Sequence, residues 1–295
     1  MDDLRYLLAV AHTGRLVAAA SALGVDHTTV SRRIRALEKV LAARLLERGS
    51  DGWELTEMGR VVAEQARPIE QALENVVLAA RGMRQDALVG NFRITAPDGF
   101  GALFAAPALT RLQQEHPGLT IELITATRQL NLHQSGFDLA IAVGAPVTRR
   151  LFSEVLAEYS LGLYASEDYL ARYGRPQSTD ELRDHTVIFY IDSLLQVGDL
   201  DLGLYLPGVT ARFTSTSIFA QLQATAVGAG VGLLPRFMTV GVPGLVELDD
   251  LGVHITLPFT LAARRDGVSR PAVQAVRRAL REEVRRRHDE LVKPM

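Results

Sequence analysis

Ala18-Ala19-Ala20-Ser21-Ala22-Leu23-Gly24-Val25-Asp26, followed by His27-Thr28-Thr29-Val30-Ser31-Arg32-Arg33-Ile34-Arg35-Ala36-Leu37-Glu38, decides the fold of the N-terminal part of this chain. The alanines favour a short helix, Gly24 stops it, and Asp26 offers an N-cap oxygen to a second helix. Two helices joined by so short a turn form a helix-turn-helix, whose second helix enters the major groove of DNA. Val30, Ile34, Leu37 and Leu41 recur at helical intervals and give one apolar stripe. Thr28, Ser31, Arg32, Arg35 and Lys39 fall largely on the other side. Short polar side chains near a helix N-terminus approach base edges closely, and an arginine grips guanine through two parallel hydrogen bonds. Arg33, Arg44 and Arg48 add charge suited to phosphates. The plainer alternative is an amphipathic helix with a solvated basic face. The Ala-rich helix, the glycine turn and the cap favour the DNA reading over it.

The opening segment Asp2 to Ala11, the element Leu16 to Leu23 and the run Val30 to Glu38 resemble the first three helices of LysR-type transcriptional regulators. Leu45-Leu46-Glu47-Arg48 and Leu55-Thr56-Glu57-Met58-Gly59 resemble the two edges of that family's wing. The chain has Asp26-His27-Thr28 where the family usually has Ser-Gln-Pro, Ala42 where it prefers Gly, and Leu46 where it prefers Phe. The resemblance implies an all-α winged helix-turn-helix domain over 1–59, a linker and dimerisation helix over 60–88, and an effector-binding domain over 89–295. That last domain is expected to be α/β, two-lobed and periplasmic-binding-protein-like. Lobe I would hold 89–162 and 264–295, and lobe II 163–263. The resemblance makes His27, Thr28, Ser31 and Arg32 the base readers, and Arg48 and residues near Ser50 backbone contacts. Thr29, Arg33 and Arg35 complete the expected DNA-binding set. It also implies double-stranded operator DNA, a small-molecule effector, RNA polymerase and further copies of the chain as partners. No cofactor, metal or catalytic residue is expected, since the seven histidines are scattered without zinc-ligand spacing and no Gly-x-Ser-x-Gly elbow occurs.

Composition agrees with a multidomain globular protein. The chain has 295 residues, 47% hydrophobic and 22% charged, enough for sizeable cores. A net charge of −2 argues against coating nucleic acid non-specifically, but it is compatible with a local basic site. The absence of cysteine excludes disulfides, cysteine nucleophiles and Cys-ligated zinc. The first residues are acidic and lack the pattern of a signal peptide, and no apolar run is long enough to span a bilayer. The expected location is therefore the cytoplasm, away from membranes.

Beyond the wing, Val62, Ile69, Val76 and Met83 are spaced by seven, with Ala66, Leu73 and Ala80 between them. Such a seam predicts a two-helix dimer, against the alternative of one helix packed on its own domain. Pro68 predicts a kink. A tetramer through the effector domains is implied by the resemblance.

From Asn91 short apolar runs alternate with helical patterns, which predicts βαβ units and a parallel sheet. Strands are expected at Phe92–Ala96, Leu119–Ile124, Phe137–Val143, Leu161–Ala165, Thr186–Tyr190, Val209–Phe213, Val231–Leu234 and Ile255–Ala263. Helices are expected at Leu103–Glu115, about Ser217–Val227 and from Pro271 onward, the last with its arginines on a solvated face. Gly228 to Gly232 lacks the dinucleotide spacing and reads as a helix stop before a buried strand. Trp53, beside Gly52, is expected to anchor the wing to the helices.

In open α/β sheets ligands sit beyond the carboxyl ends of strands, near helix N-termini. Pro97, Asp98, Gly99 and Phe100 follow the first strand, Thr127 and Arg128 the second, and Gly144 the third. Ser215 and Thr216 precede the helix of the second set. These positions correspond to the effector cleft of the family they resemble, and each is equally suited to capping a helix or making a turn. Hydroxyls, backbone N–H groups and Arg128 suit a small anion. Asp98 repels one, and suits an amine or hydroxyls. Two other functions fit the α/β part: an enzyme with an accessory DNA-binding domain, and a transport-type solute-binding module. The first lacks a convergent catalytic set, since Asp98 and Asp138 alone do not make one. The second is opposed by the N-terminal motif.

Overall fold

The structure, a computed structural model, describes residues 2–49, 52–63, 65–66, 69, 88–125, 137–144, 151–191, 200–265 and 267–292. The chain forms two compact units, one built on Met1–Asn91 and the other chiefly on Phe92–Glu115 and Asp138–Met295.

In the first unit, α1 (Asp2–Thr13), α2 (Leu16–Leu23) and α3 (His27–Leu41) precede a hairpin of β1 (Leu46–Gly49) and β2 (Gly52–Leu55). A further helix, α4, is described over 57–63. Leu7, Val10, Leu16, Ala19, Val30, Ile34 and Leu45 fill the core. Val30, Ile34 and Leu37 of the expected stripe are buried, but Leu41 is 43% exposed. The reason is local: α3 ends at Leu41, and the next residue turns left-handed.

Gly24 stops α2 at φ +64°. Ala42 stops α3 in the same conformation, at φ +51°, and is the one non-glycine residue with positive φ among those described. A Cβ is disfavoured there. Ala42→Gly is expected to raise stability by about 1 kcal/mol, checked by denaturant titration. An unchanged or lower midpoint refutes the strain at that turn.

Ala63 and Ala66 are buried in the core of this unit, with Val62 packed against it. Ala66 thus serves the N-terminal core, where the heptad reading assigned it to a seam. Ile69 is 42% exposed. Pro68, Leu73, Val76, Ala80 and Met83 of that reading lie outside the described residues.

The second unit is built on one nine-stranded sheet. Its strands are β3 (Gly90–Ala96), β4 (Leu119–Thr125), β5 (Leu139–Val143), β6 (Leu151–Ser166), β7 (Val187–Phe189), β8 (Ala211–Thr214), β9 (Val231–Pro235), β10 (Leu245–Glu247) and β11 (Ile255–Arg264). The order is β4-β3-β5-β11-β6-β9-β7-β8, with β10 paired to β6. β3–β5, β7–β8 and β7–β9 are parallel, whereas β11–β5, β11–β6 and β6–β9 are antiparallel. The sheet is therefore mixed, correcting the expectation of a parallel one. Two long strands cause the difference. β6 runs for 16 residues, far beyond Leu161–Ala165, and pairs with β11 from Leu161↔Ile255 to Leu151↔Arg264. The register shifts once, between Phe259 and Thr260.

Helices cover the sheet: α5 (Asp98–Phe100), α6 (Ala106–Glu115), α7 (Glu167–Tyr173), α8 (Leu202–Tyr205), α9 (Ile218–Ala226), α10 (Arg236–Thr239), α11 (Pro271–Arg286) and α12 (His288–Leu291). A π-turn over Gly101–Ala105 joins α5 to α6. The helix expected from Leu103 therefore begins five residues earlier, at Asp98. Phe100, Phe104, Tyr159, Phe237 and Phe259 form a connected aromatic cluster, with Phe259 stacked on Tyr159 at 4.1 Å. Gly228, at φ +84°, follows α9, and every residue of β9 is buried, as the helix-stop reading of Gly228–Gly232 requires.

Arg278, Arg281, Arg285 and Arg286 of α11 are exposed, as the solvated-face reading expects, but Arg277 is not. Arg277 is 8% exposed and donates from Nε and Nη2 to both oxygens of Glu154, at 3.0 and 2.7 Å. Burial pushes the Glu154 pKa up, but Arg277 and Arg281 hold it below the ordinary value. Glu283, 1% exposed, binds Arg111, Arg286 at 2.6 Å and Arg287 at 3.3 Å. Charges at helical spacing look alike in sequence whether solvated or paired, because the carboxylate on β6 is remote in the chain.

Candidate nucleic-acid interface and effector site

Asp26 caps α3 as expected: its Oδ1 accepts from the Thr28 N–H at 2.7 Å. That hydrogen bond lowers the Asp26 pKa below the ordinary carboxylate value. Thr28, Ser31, Arg32 and Arg35 stand at i, i+3, i+4 and i+7, so they share one face of α3. Val30, Ile34 and Leu37 are on the buried face. His27, Thr28, Arg32 and Arg35 are exposed, and Thr29 and Ser31 half-buried. Among the described residues neither Arg32 nor Arg35 has an ion-pair partner. Arg33 differs. Its Nη1 reaches Asp3 at 3.4 Å and its guanidinium lies over the Tyr6 ring at 5.8 Å, so it braces α3 against α1.

Arg48 pairs with Trp53 across the hairpin, and Gly49 with Gly52. Trp53 is 43% exposed. It stands on the hairpin surface and does not anchor the hairpin to the helices. The anchor is Glu38, which sequence reasoning missed. Its Oε1 accepts from the N–H groups of Leu45 and Leu46 at 2.7 and 3.1 Å. A carboxylate near the negative end of a helix is unfavourable without a donor, and that misfit was the available signal. Thr56 completes the joint, donating from its N–H to the Leu45 carbonyl at 3.0 Å and from its hydroxyl to Arg44 O at 2.8 Å.

In the second unit, the starts of two helices meet. Ser217 is the N-cap of α9, and its Oγ lies 3.4 Å from Asp98 Oδ2 at the start of α5. Gly99 is buried under Met238 and Ile218, and a Cβ there would sit 2.6 Å from the Met238 sulfur. Ser215 Oγ accepts from Ser217 N–H at 3.2 Å. Gln221, wholly buried, donates from Nε2 to Ser215 O at 2.9 Å, and its Oε1 has no partner among the described residues.

Asp98, Ser215, Thr216 and Ser217 are thus brought to one place, with Pro97 and Gly99 beside it. Phe100 is fully buried in the aromatic cluster and faces the core. Gly144 stands at the end of β5 with both backbone groups used: its N–H donates to Pro258 O at 2.9 Å, and its carbonyl accepts from Thr260 Oγ1 at 2.6 Å. Thr127 and Arg128 lie outside the described residues. Gln221 was missed because its burial depends on its folding back over one helical turn.

A capped, arginine-bearing helix followed by a two-stranded hairpin defines the first unit as a winged helix-turn-helix, and the second is a mixed α/β domain. Family comparison agrees. Residues 1–60 match the bacterial regulatory helix-turn-helix protein, lysR family, and residues 85–285 match the LysR substrate binding domain. The chain belongs to the LysR family. It is 34% identical over 188 residues to an HTH-type transcriptional regulator of Xanthomonas campestris pv. campestris (strain 8004), covering 64% of this chain and 54% of that protein. It is 32% identical over 201 residues to the HTH-type transcriptional activator TtdR of Escherichia coli (strain K12), covering 68% of this chain and 64% of that one. The alignments therefore span less than two thirds of these relatives' length. Among solved structures, full-length LysG of Corynebacterium glutamicum with bound effector Arg is similar at TM-score 0.67 and 20% identity, covering 99% of each chain. CrgA of Neisseria meningitidis is similar at TM-score 0.59 and 22% identity, covering 96% of this chain and 98% of that one. Both likenesses concern the fold.

Proposed function

We propose that this chain is a sequence-specific, DNA-binding transcriptional regulator, modulated by a small molecule bound between two α/β lobes. The observation that carries it is the face of α3 made by Thr28, Ser31, Arg32 and Arg35, with both arginines unpaired among the described residues. His27, Thr28, Ser31 and Arg32 read bases, Arg48 contacts the DNA backbone, and Thr29 and Arg35 complete the DNA-binding set. Arg33 contributes charge from its brace on Asp3. The working divisions are 1–59 for DNA binding, 60–88 for dimerisation, and 89–295 for the effector. Pro97, Asp98, Gly99, Ser215 and Thr216 line the effector site, Phe100 and Gly144 back it, and Thr127 and Arg128 reach it. The protein acts in the cytoplasm, as a dimer or tetramer, on operator DNA and RNA polymerase, without catalysis of its own. Effector binding shifts a balance between domain arrangements, for which coupling of about 1–3 kcal/mol suffices.

Arg32→Ala tests the base-reading role. Mobility shifts are expected to show about a 10–100-fold loss on the chain's own upstream promoter and little change on scrambled duplex. Equal losses on both duplexes refute the role.

A further inference from the structure

Gln221 Oε1 is a buried carbonyl oxygen without a hydrogen-bond partner among the described residues, and its amide reaches Ser215, two residues before the Ser217 that meets Asp98. We propose that the small molecule held here presents a protonated amine, received by the Asp98 carboxylate and Gln221 Oε1. The proposal rests on the effector-site reading and adds the charge of the ligand.

The amide orientation is fixed, because only Nε2 can donate to the Ser215 carbonyl. Oε1 is thereby left as an acceptor on a side chain with no solvent exposure. Native proteins rarely leave such an atom unpaired unless something else supplies the donor. Gln221 sits one turn after Ser217, so the two share one face of α9, and its amide returns to Ser215. Asp98 is half-buried and, among the described residues, has no ion-pair partner. Its polar contact is the Ser217 hydroxyl at 3.4 Å, which leaves most of its acceptor capacity unused.

The start of a helix ordinarily favours an anion. Here that preference is already met by the carboxylate facing the α9 cap, and a second anion would be repelled by it. Two acceptors with unused lone pairs call for a ligand rich in donors, and an ammonium group carries three.

The test uses the full chain with 1,4-diaminobutane and L-lysine as amine probes and succinate and glutarate as anion probes, by titration calorimetry. Saturable binding of an amine probe is expected, with none of either dicarboxylate. Asp98→Asn is expected to weaken amine binding about 10-fold or more, the loss of a charge-assisted bond. Gln221→Met, which keeps the shape and removes the acceptor, is expected to weaken it about 3–10-fold. Should Gln221→Met fail to fold, Asp98→Asn decides. Failure of both amines to bind, or equal binding by Asp98→Asn, overturns the proposal. Dicarboxylate binding that Asp98→Asn strengthens also overturns it, while leaving the effector site in place. Amine binding that depends on Asp98 but never alters promoter affinity sustains the amine site and sinks the effector reading.

Discussion

Gly59→Ala is expected to destabilise the DNA-binding unit by about 3 kcal/mol and to abolish promoter binding at growth temperature. A Cβ at residue 59 would lie 2.2 Å from the Leu45 carbonyl oxygen, and 3.1 and 3.2 Å from the Leu45 C and Cα atoms. All three are backbone atoms, and they cannot swing aside. Leu45 is pinned from both directions, since Glu38 holds its N–H and Thr56 donates to its carbonyl. To admit a methyl group, α4 must leave the hairpin or α3 must release it. Met58→Ala, at a neighbour that is 50% exposed, is the control and should change stability by no more than about 0.5 kcal/mol. Thermal unfolding followed by circular dichroism distinguishes them. A Gly59→Ala protein that melts like its parent would show that this close approach is not required.

Glu283→Ala is expected to cost the α/β unit about 2–3 kcal/mol. The carboxylate is buried at 1% exposure and receives Arg111, Arg286 and Arg287. Arg287 also lies over the Phe104 ring at 4.1 Å and donates to the Leu103 carbonyl at 2.5 Å, so the cluster joins α11 to the start of α6. The effect falls below that of a wholly dry ion pair because Arg111 and Arg286 reach water and regain hydration when freed. Glu283→Gln keeps the shape and removes the charge, and should lose nearly as much. Guanidinium titration of both variants checks this. Midpoints unchanged from the parent would mean that the arginines hold one another's places without the carboxylate.

The N-terminal unit was legible because its determinants are local. Asp26 caps two residues away, Gly24 stops the helix next to it, and Val30, Ile34 and Leu37 lie on one face of one helix. The proposed interface residues of α3 follow from the same periodicity, apart from Arg33, whose partner Asp3 is thirty positions distant. The α/β unit was less legible where pairing is remote. Over Leu151–Ser160 the inside–outside alternation of β6 is disturbed, with Val155 63% exposed and Glu154 turned to Arg277. A hydrophobic outside and a charged inside conceal a strand from any pattern of alternation. Asp98 reads as a loop residue after β3 because helix starts share their residue preferences with turns. Gln221 looks like an ordinary polar residue of an amphipathic helix until its fold-back to Ser215 is seen.

Because β11 is paired along its whole length with Leu151–Leu161 of β6, the β4-β3-β5 side and the β9-β7-β8 side of the sheet share one continuous two-stranded ribbon. Such a ribbon behaves as a torsion bar rather than a door hinge. Its ladder resists sliding, and the slipped step at Phe259/Thr260 is where its twist can change at least cost. If the proposed site beside Asp98 takes a ligand, the response open to the sheet is a small winding or unwinding of this bar.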